Sequence, residues 1–228
     1  MSENYEQLKK NNVKATNQVA ENVFLENEDG AGIRVLIMGN SITLHGILPE
    51  IGWHHNFGMA ASSKENDFVH KLYAKIREKQ PDAALCICQV ADWETAYKNG
   101  ESVYSQYEAG RKFDADIIIA RFLDNCPKDD LDGEIFKKEI KKFIEYLNPS
   151  KKAKIIATTG FWKHPADSAM TEFAEENGIP LVYLGDLGED DNMKAIGKFE
   201  HGGVANHPGD LGMEHIANRI YDKLKDLI

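Results

Sequence analysis

At 228 residues, 42% of them hydrophobic and 28% charged, the chain is long enough to bury the core of one α/β domain with at most a short appendage. Its formal net charge of −10 excludes nucleic acid and anionic membrane surfaces as partners, since both are held by a surplus of Lys and Arg. The expected partner is a small or neutral molecule. No run approaches the length of a membrane span, and Met1-Ser2-Glu3-Asn4-Tyr5-Glu6 lacks the basic-then-apolar order of a secretion signal, so a cytoplasmic location is expected.

Residues 1–32 are polar, rich in Asn and Glu, and patterned only at Val23-Phe24-Leu25; they read as an N-terminal arm or a peripheral strand, closed by the turn Asn27-Glu28-Asp29-Gly30. The domain proper spans 33–228. Val35 to Met38 form a short apolar run that stops at Gly39-Asn40-Ser41, as expected of a strand buried on both faces. Leu44 to Ser63 follow, rich in Gly, His and Trp, a long loop of the kind that is usually functional beside a sheet edge. The spacing of Phe68, Val69, Leu72, Tyr73 and Ile76 predicts a helix over 66–79 capped by Asn66. Ala84 to Val90 read as the second strand, in which Cys86 and Cys88 share one side as small buried hydrophobes; three cysteines make no disulfide framework. Asp92 to Lys112 hold one short helix around Val103 to Tyr107, Ile117 to Phe122 the third strand, and Glu134 to Leu147 the clearest helix. Lys154 to Thr159 form a strand, Asp167 to Asn177 a helix ended by Gly178, Pro180 to Leu184 a strand, and Asp210 caps the last helix. Strands alternating with helices imply right-handed crossovers and a five-stranded parallel sheet covered on both faces.

In such a sheet ligands bind at the carboxyl edge. The first strand delivers Ser41 there, the third ends in Arg121-Phe122-Leu123-Asp124-Asn125, the fourth in Thr159-Gly160-Phe161-Trp162, and a Pro-Gly turn holds His207 just before the last helix. A fixed histidine returning to the edge where a serine waits is what nucleophilic catalysis needs. Each residue also has a plainer reading: Gly39-Asn40-Ser41 as a turn with a helix cap, His207 as a capping histidine, Asn125 as a turn residue. Trp53 and Trp162 suit substrate binding by stacking on a sugar ring, or act as wedges in the core. His54 and His55 are adjacent and have no third ligand at a suitable spacing, so no metal is expected, and nothing calls for a cofactor.

Four blocks in order make the chain resemble the SGNH, or GDSL-type, serine esterases and lipases: Gly39-Asn40-Ser41-Ile42-Thr43, Asn56-Phe57-Gly58-Met59-Ala60-Ala61-Ser62, Phe122-Leu123-Asp124-Asn125, and His207-Pro208-Gly209-Asp210-Leu211-Gly212-Met213. The resemblance implies the SGNH hydrolase fold, a flavodoxin-like three-layer sandwich, and hydrolysis of short-acyl or carbohydrate-linked esters. It implies Ser41 as nucleophile, His207 as base, and an oxyanion hole from the N–H groups of Ser41 and Ala61 and the Asn125 side chain, with Gly58 as a neighbouring candidate.

Departures from the family pattern fall at Asn40, where Asp is commoner, at Ala61 and Leu123, where glycine is usual, and at Val204, where the family's acid would lie three residues before the histidine. A Ser-His dyad is expected, oriented by a backbone carbonyl of the 203–205 stretch, with Glu200, Asp186 and Asp210 as the alternative acids. Two other readings compete: a non-catalytic module binding a carbohydrate or another ligand at the same edge, and a flavodoxin-like nucleotide binder.

Overall fold

The computed structural model describes residues 21–228; of the N-terminal arm, residues 1–20 lie outside the described residues. Six strands form one sheet in the order β1-β3-β2-β4-β5-β6, with β1 Val23–Glu26, β2 Arg34–Gly39, β3 Ala84–Gln89, β4 Ile117–Ala120, β5 Lys154–Thr158 and β6 Leu181–Val182. The five strands expected from the sequence pair in parallel. The sixth, β1, runs antiparallel on the outer edge of β3, Val23 opposite Cys88. Its four residues are only half-buried, too weak a pattern to separate an edge strand from a loop in sequence. β6 is shorter than the run 180–184 suggested, because beyond Val182 the chain turns: Leu184 N–H donates to the Thr159 side-chain oxygen rather than to a ladder carbonyl.

The central strands send alternate side chains to opposite faces. Leu36, Met38, Cys86, Cys88 and Ile118 enter one core with Trp93, Phe136, Phe143 and Phe173; Val35, Ile37, Leu85, Ile87 and Ile119 enter the other with Leu72, Ile76, Ile216 and Ile220. The helices divide accordingly. α1 (Phe68–Lys79) and α7 (Asp210–Leu224) pack together on one face, while α2 (Ala91–Ala96), α3 (Glu108–Phe113), α4 (Gly133–Leu147) and α5 (Ala166–Glu176) supply the other. A four-residue helix, α6 (Gly202–Ala205), precedes α7. Among the described residues, no helix is long and apolar enough to cross a membrane.

Two caps differ from the sequence expectation. α1 is capped by Asp67, whose carboxylate accepts from His70 N–H at 2.8 Å; Asn66 instead donates to Ser62 Oγ. Asp210 opens α7 but its carboxylate is taken by Ser62, at 2.8 Å from the amide and 2.6 Å from the hydroxyl. Around Val103 to Tyr107 the chain forms 3-10 turns over Tyr97–Tyr107, broken at Asn99, before α3 begins.

Candidate active site

The Gly39-Asn40-Ser41 turn starts where β2 runs out. A Cβ on Gly39 would collide with the Thr43 side chain and the Arg121 carbonyl, so only glycine lets the chain bend there. The bend places Ser41 with its Oγ 2.9 Å from His207 Nε2. His207 comes from the other end of the domain: α6 is capped by His201, whose Nδ1 accepts from Val204 N–H at 3.3 Å, and its final turn passes directly into the Pro208-Gly209 turn. Ala195 N–H donates to the His207 carbonyl at 2.9 Å, fixing the backbone.

His207 Nδ1 lies 2.7 Å from the Gly203 carbonyl. A carbonyl can only accept, so Nδ1 carries the proton and Nε2 presents its lone pair to the serine hydroxyl, the arrangement a general base needs. Val204 is buried and takes no part in this contact. Of the three acids considered from sequence, Asp186 pairs with both terminal Arg219 nitrogens at 2.6 and 2.8 Å, Asp210 holds Ser62, and Glu200 is exposed at the surface. Burial pushes the His207 imidazole down to about 4, although the Gly203 carbonyl and Asp124 pull upward. At neutral pH the ring is therefore unprotonated and free to accept.

The second block is held against Ser41 by its backbone: Met59 N–H donates to the Ser41 carbonyl at 2.9 Å, and Gly58 N–H to the buried Asp67 carboxylate at 3.1 Å. Ala60 takes a left-handed turn, φ 73°, and Ala61 N–H bonds the Gly58 carbonyl at 3.2 Å. In this state the Ala61 donor is engaged within its own turn. Asp67 is in turn clamped by His70, whose Nε2 reaches Glu26 on β1 at 3.0 Å. The two carboxylates raise His70 from 6.5 to about 9 against the opposing effect of burial, and Glu26 falls from 4.5 to about 2 chiefly through His70.

A raised histidine contributes stability that is fully present below ~6.5 and lost as pH rises through about 9. His70→Gln is expected to cost about 2 kcal/mol in urea unfolding at pH 6 and much less at pH 10; a deficit equal at both pH values would contradict the clamp.

Asn125 is anchored rather than free. Its side-chain N–H group donates to Glu94 Oε2 at 2.7 Å, which leaves the second hydrogen of the same amide for another acceptor. Glu94 also accepts from Asn40 Nδ2 at 3.0 Å and from the Leu123 amide, so one carboxylate joins the Gly39-Asn40-Ser41 turn to the third block. Leu123 has φ 122°, a region that glycine enters without strain and that other residues rarely adopt. Arg121, fully buried, donates to Asn40 Oδ1 at 2.8 Å and to Asp124 Oδ2 at 2.7 Å. Glu94 has no sequence signal tying it to Ser41. Arg121 has one: a guanidinium inside an apolar strand demands a buried partner.

A shallow cavity of about 330 Å³ opens beside His207, lined by Asp124, Lys128, Trp162, His164, Gly203 and Asn206. Trp162 meets the imidazole edge-on, ring centres 5.0 Å apart. Trp53 corrects its expected role in stacking: it is fully buried, gives its indole N–H to the His45 carbonyl at 3.2 Å, and packs on Phe57 and Phe199. The apolar loop 44–63 needs an anchor of its own, and Trp53 is it. Among the described residues, no group of three His, Cys, Asp or Glu side chains is arranged to hold a metal ion.

No family model matches the sequence, and a search of curated proteins gives no match. Solved structures do match in shape. The psychrotrophic esterase EstA from Pseudoalteromonas superposes with a TM-score of 0.53 at 14% identity, over 85% of this chain and 97% of that one. A lipase/acylhydrolase from Enterococcus faecalis gives 0.55 at 13%, over 85% and 96%. A two-domain esterase, CEX, active on acetylated mannans, gives 0.55 at 15%, over 88% of this chain and 50% of that one. With its six-stranded, mostly parallel sheet between two helical layers, the chain has the SGNH hydrolase fold of the GDSL-type esterases.

Proposed function

We propose that this protein is a serine hydrolase of carboxylic esters, with small acyl groups on polar or carbohydrate alcohols as its substrates. The observation that carries the reading is the Ser41–His207 contact of 2.9 Å with Nδ1 held by a carbonyl. His207 accepts the Ser41 proton as Oγ attacks the ester carbonyl, then returns it to the leaving alcohol. Water repeats the cycle on the acyl-enzyme. The oxyanion forms against the Ser41 and Ala61 amides and the remaining Asn125 hydrogen, the Ala61 donor turning from Gly58 as the intermediate appears. The shallow, mixed polar cavity with Trp162 at its wall suits a sugar alcohol better than a long acyl chain, and esterase neighbours, one of them active on acetylated mannans, support the same class. Three buried free thiols fit a reducing, cytoplasmic setting.

The test is turnover of p-nitrophenyl acetate and of acetylated sugars by the purified protein. Turnover is expected with the acetyl esters, falling with acyl length, and lost by at least about 10³-fold in Ser41→Ala. Undiminished turnover in that variant would remove the proposal. Failure of acetylated sugars alone, with p-nitrophenyl acetate turned over, would remove only the carbohydrate part.

A further inference from the structure

Behind the Gly39-Asn40-Ser41 turn lies a buried group of charges that the proposed acyl transfer does not use. Glu94 is fully buried, and each polar atom facing it is a donor: Asn40 Nδ2, the Leu123 amide, the Asn125 amide at 3.4 Å and Asn125 Nδ2. Asp124, its side chain 3% exposed, is likewise met only by donors: Phe161 N–H at 3.1 Å on Oδ1, and Asn40 Nδ2 at 3.0 Å and Arg121 Nη2 on Oδ2. A protonated carboxyl would have to give its hydrogen to an acceptor, and every protein atom within hydrogen-bond reach of either group is a donor. Both are therefore carboxylates, although burial and their mutual repulsion push Glu94 upward. One guanidinium stands against two carboxylates, so the cluster carries one surplus negative charge.

That surplus lies beside the catalytic histidine. Asp124 lines the same cavity as His207, and the Phe161 amide it holds leads into Trp162, whose ring edge meets the imidazole. Gly203 satisfies Nδ1, but a neutral carbonyl stabilises an imidazolium less than a carboxylate does. We propose that the buried Glu94–Arg121–Asp124 cluster supplies from a distance the negative charge that a triad acid supplies in contact, with Gly203 orienting His207 and Asp124 stabilising its imidazolium.

The other groups around the ring do not do this. His45 donates Nδ1–H to the Gly46 carbonyl at 2.6 Å and is pushed toward its neutral form by burial. His164 donates Nε2–H to the Cys126 carbonyl and accepts from Ala166 N–H on Nδ1, which leaves it neutral. His201 on α6 is also pushed toward neutrality by burial. Asp167 is turned to the Gly160 and His164 amides, Lys194 to Asp191, and Asp210 to Ser62. Lys128, at the cavity rim, is exposed and screened by solvent. Arg121 opposes the effect from within the cluster and is outnumbered.

The inference rests on the esterase reading, and its test is built to fail separately. His207 is titrated by NMR on ¹³C-histidine-labelled protein, in wild type, Asp124→Asn and Glu94→Gln; each substitution makes the cluster neutral. Both are expected to move the His207 titration to lower pH, by about 0.5–1 unit for Asp124→Asn and less for the more remote Glu94→Gln. The acid limb of kcat/KM should move the same way, and kcat should fall by about tenfold with KM unchanged. A purely structural role would lower activity without moving the titration. An unmoved or upward titration in folded Asp124→Asn overturns the proposal; if that variant does not fold, an unmoved titration in Glu94→Gln overturns it. A wild-type protein with no esterase activity whose His207 titration still moves as stated would contradict the proposed function and leave the charge coupling standing.

Discussion

His207→Ala is expected to lower kcat on p-nitrophenyl acetate by about 10³–10⁴-fold with little change in KM. The loss is smaller than removal of a base from a full triad, because a base pushed down to about 4 by burial abstracts the serine proton less well to begin with. The side chain stands at the cavity rather than in the core, so its truncation leaves the fold intact, and circular dichroism should be unchanged. For the same reason kcat/KM in the wild type should stay level through neutrality and fall only below the ordinary histidine range, toward about 4. A loss of less than tenfold in His207→Ala would mean that the 2.9 Å contact with Ser41 is not the one that moves the proton.

The second large effect is on stability. Asn40 is fully buried, its Nδ2 donating to Glu94 and to Asp124, each at 3.0 Å, and its Oδ1 accepting from Arg121 at 2.8 Å. Asn40→Asp puts a third carboxylate where two others expect a donor. Leaving buried charges unpaired in this way is expected to cost about 3–5 kcal/mol at pH 7, a large part of the stability of an ordinary domain. The deficit should shrink in mild acid, where the new carboxyl takes up a proton and can donate again. Urea unfolding at pH 7 and pH 5 measures both numbers. Equal stability of variant and wild type at pH 7 would mean that Glu94 or Asp124 is protonated, which contradicts the charge count of the cluster. Asn40 is the residue this cluster requires, because Glu94 and Asp124 both accept from its amide.

Much of this arrangement was legible in the sequence, for identifiable reasons. The runs 35–38, 84–90, 117–122 and 154–159 are apolar on both faces, which only central parallel strands require, and each did pair in parallel. The approach of His207 to Ser41 was legible because a Pro-Gly turn before the last helix leaves its position little freedom. The carbonyl partner followed from Val204: with no acid three residues back, the short turn itself was left to face Nδ1, and Gly203 does so. Edge strand β1 was not legible, because four half-buried residues carry no periodic signal. For Trp53 the sequence left stacking on a sugar and a wedge in the core both open, and the choice depends on Phe199 packing against it from across the chain. The cap of α1 went to Asp67 rather than Asn66 because Asp67 also holds Gly58 N–H, nine residues back, a contact that no capping pattern encodes. Glu94 was hidden for the same reason: it sits in a six-residue helix, and what gives it meaning are Asn40 and Asn125, 54 and 31 positions away.

The central claim is that Ser41 is a nucleophile activated by His207, and peptide mass mapping after treatment with a fluorophosphonate reports on it directly. One phosphonyl group per chain is expected, on the peptide containing Ser41, absent from Ser41→Ala and formed much more slowly in His207→Ala. No adduct on the wild-type protein, or an equal adduct on Ser41→Ala, would contradict it.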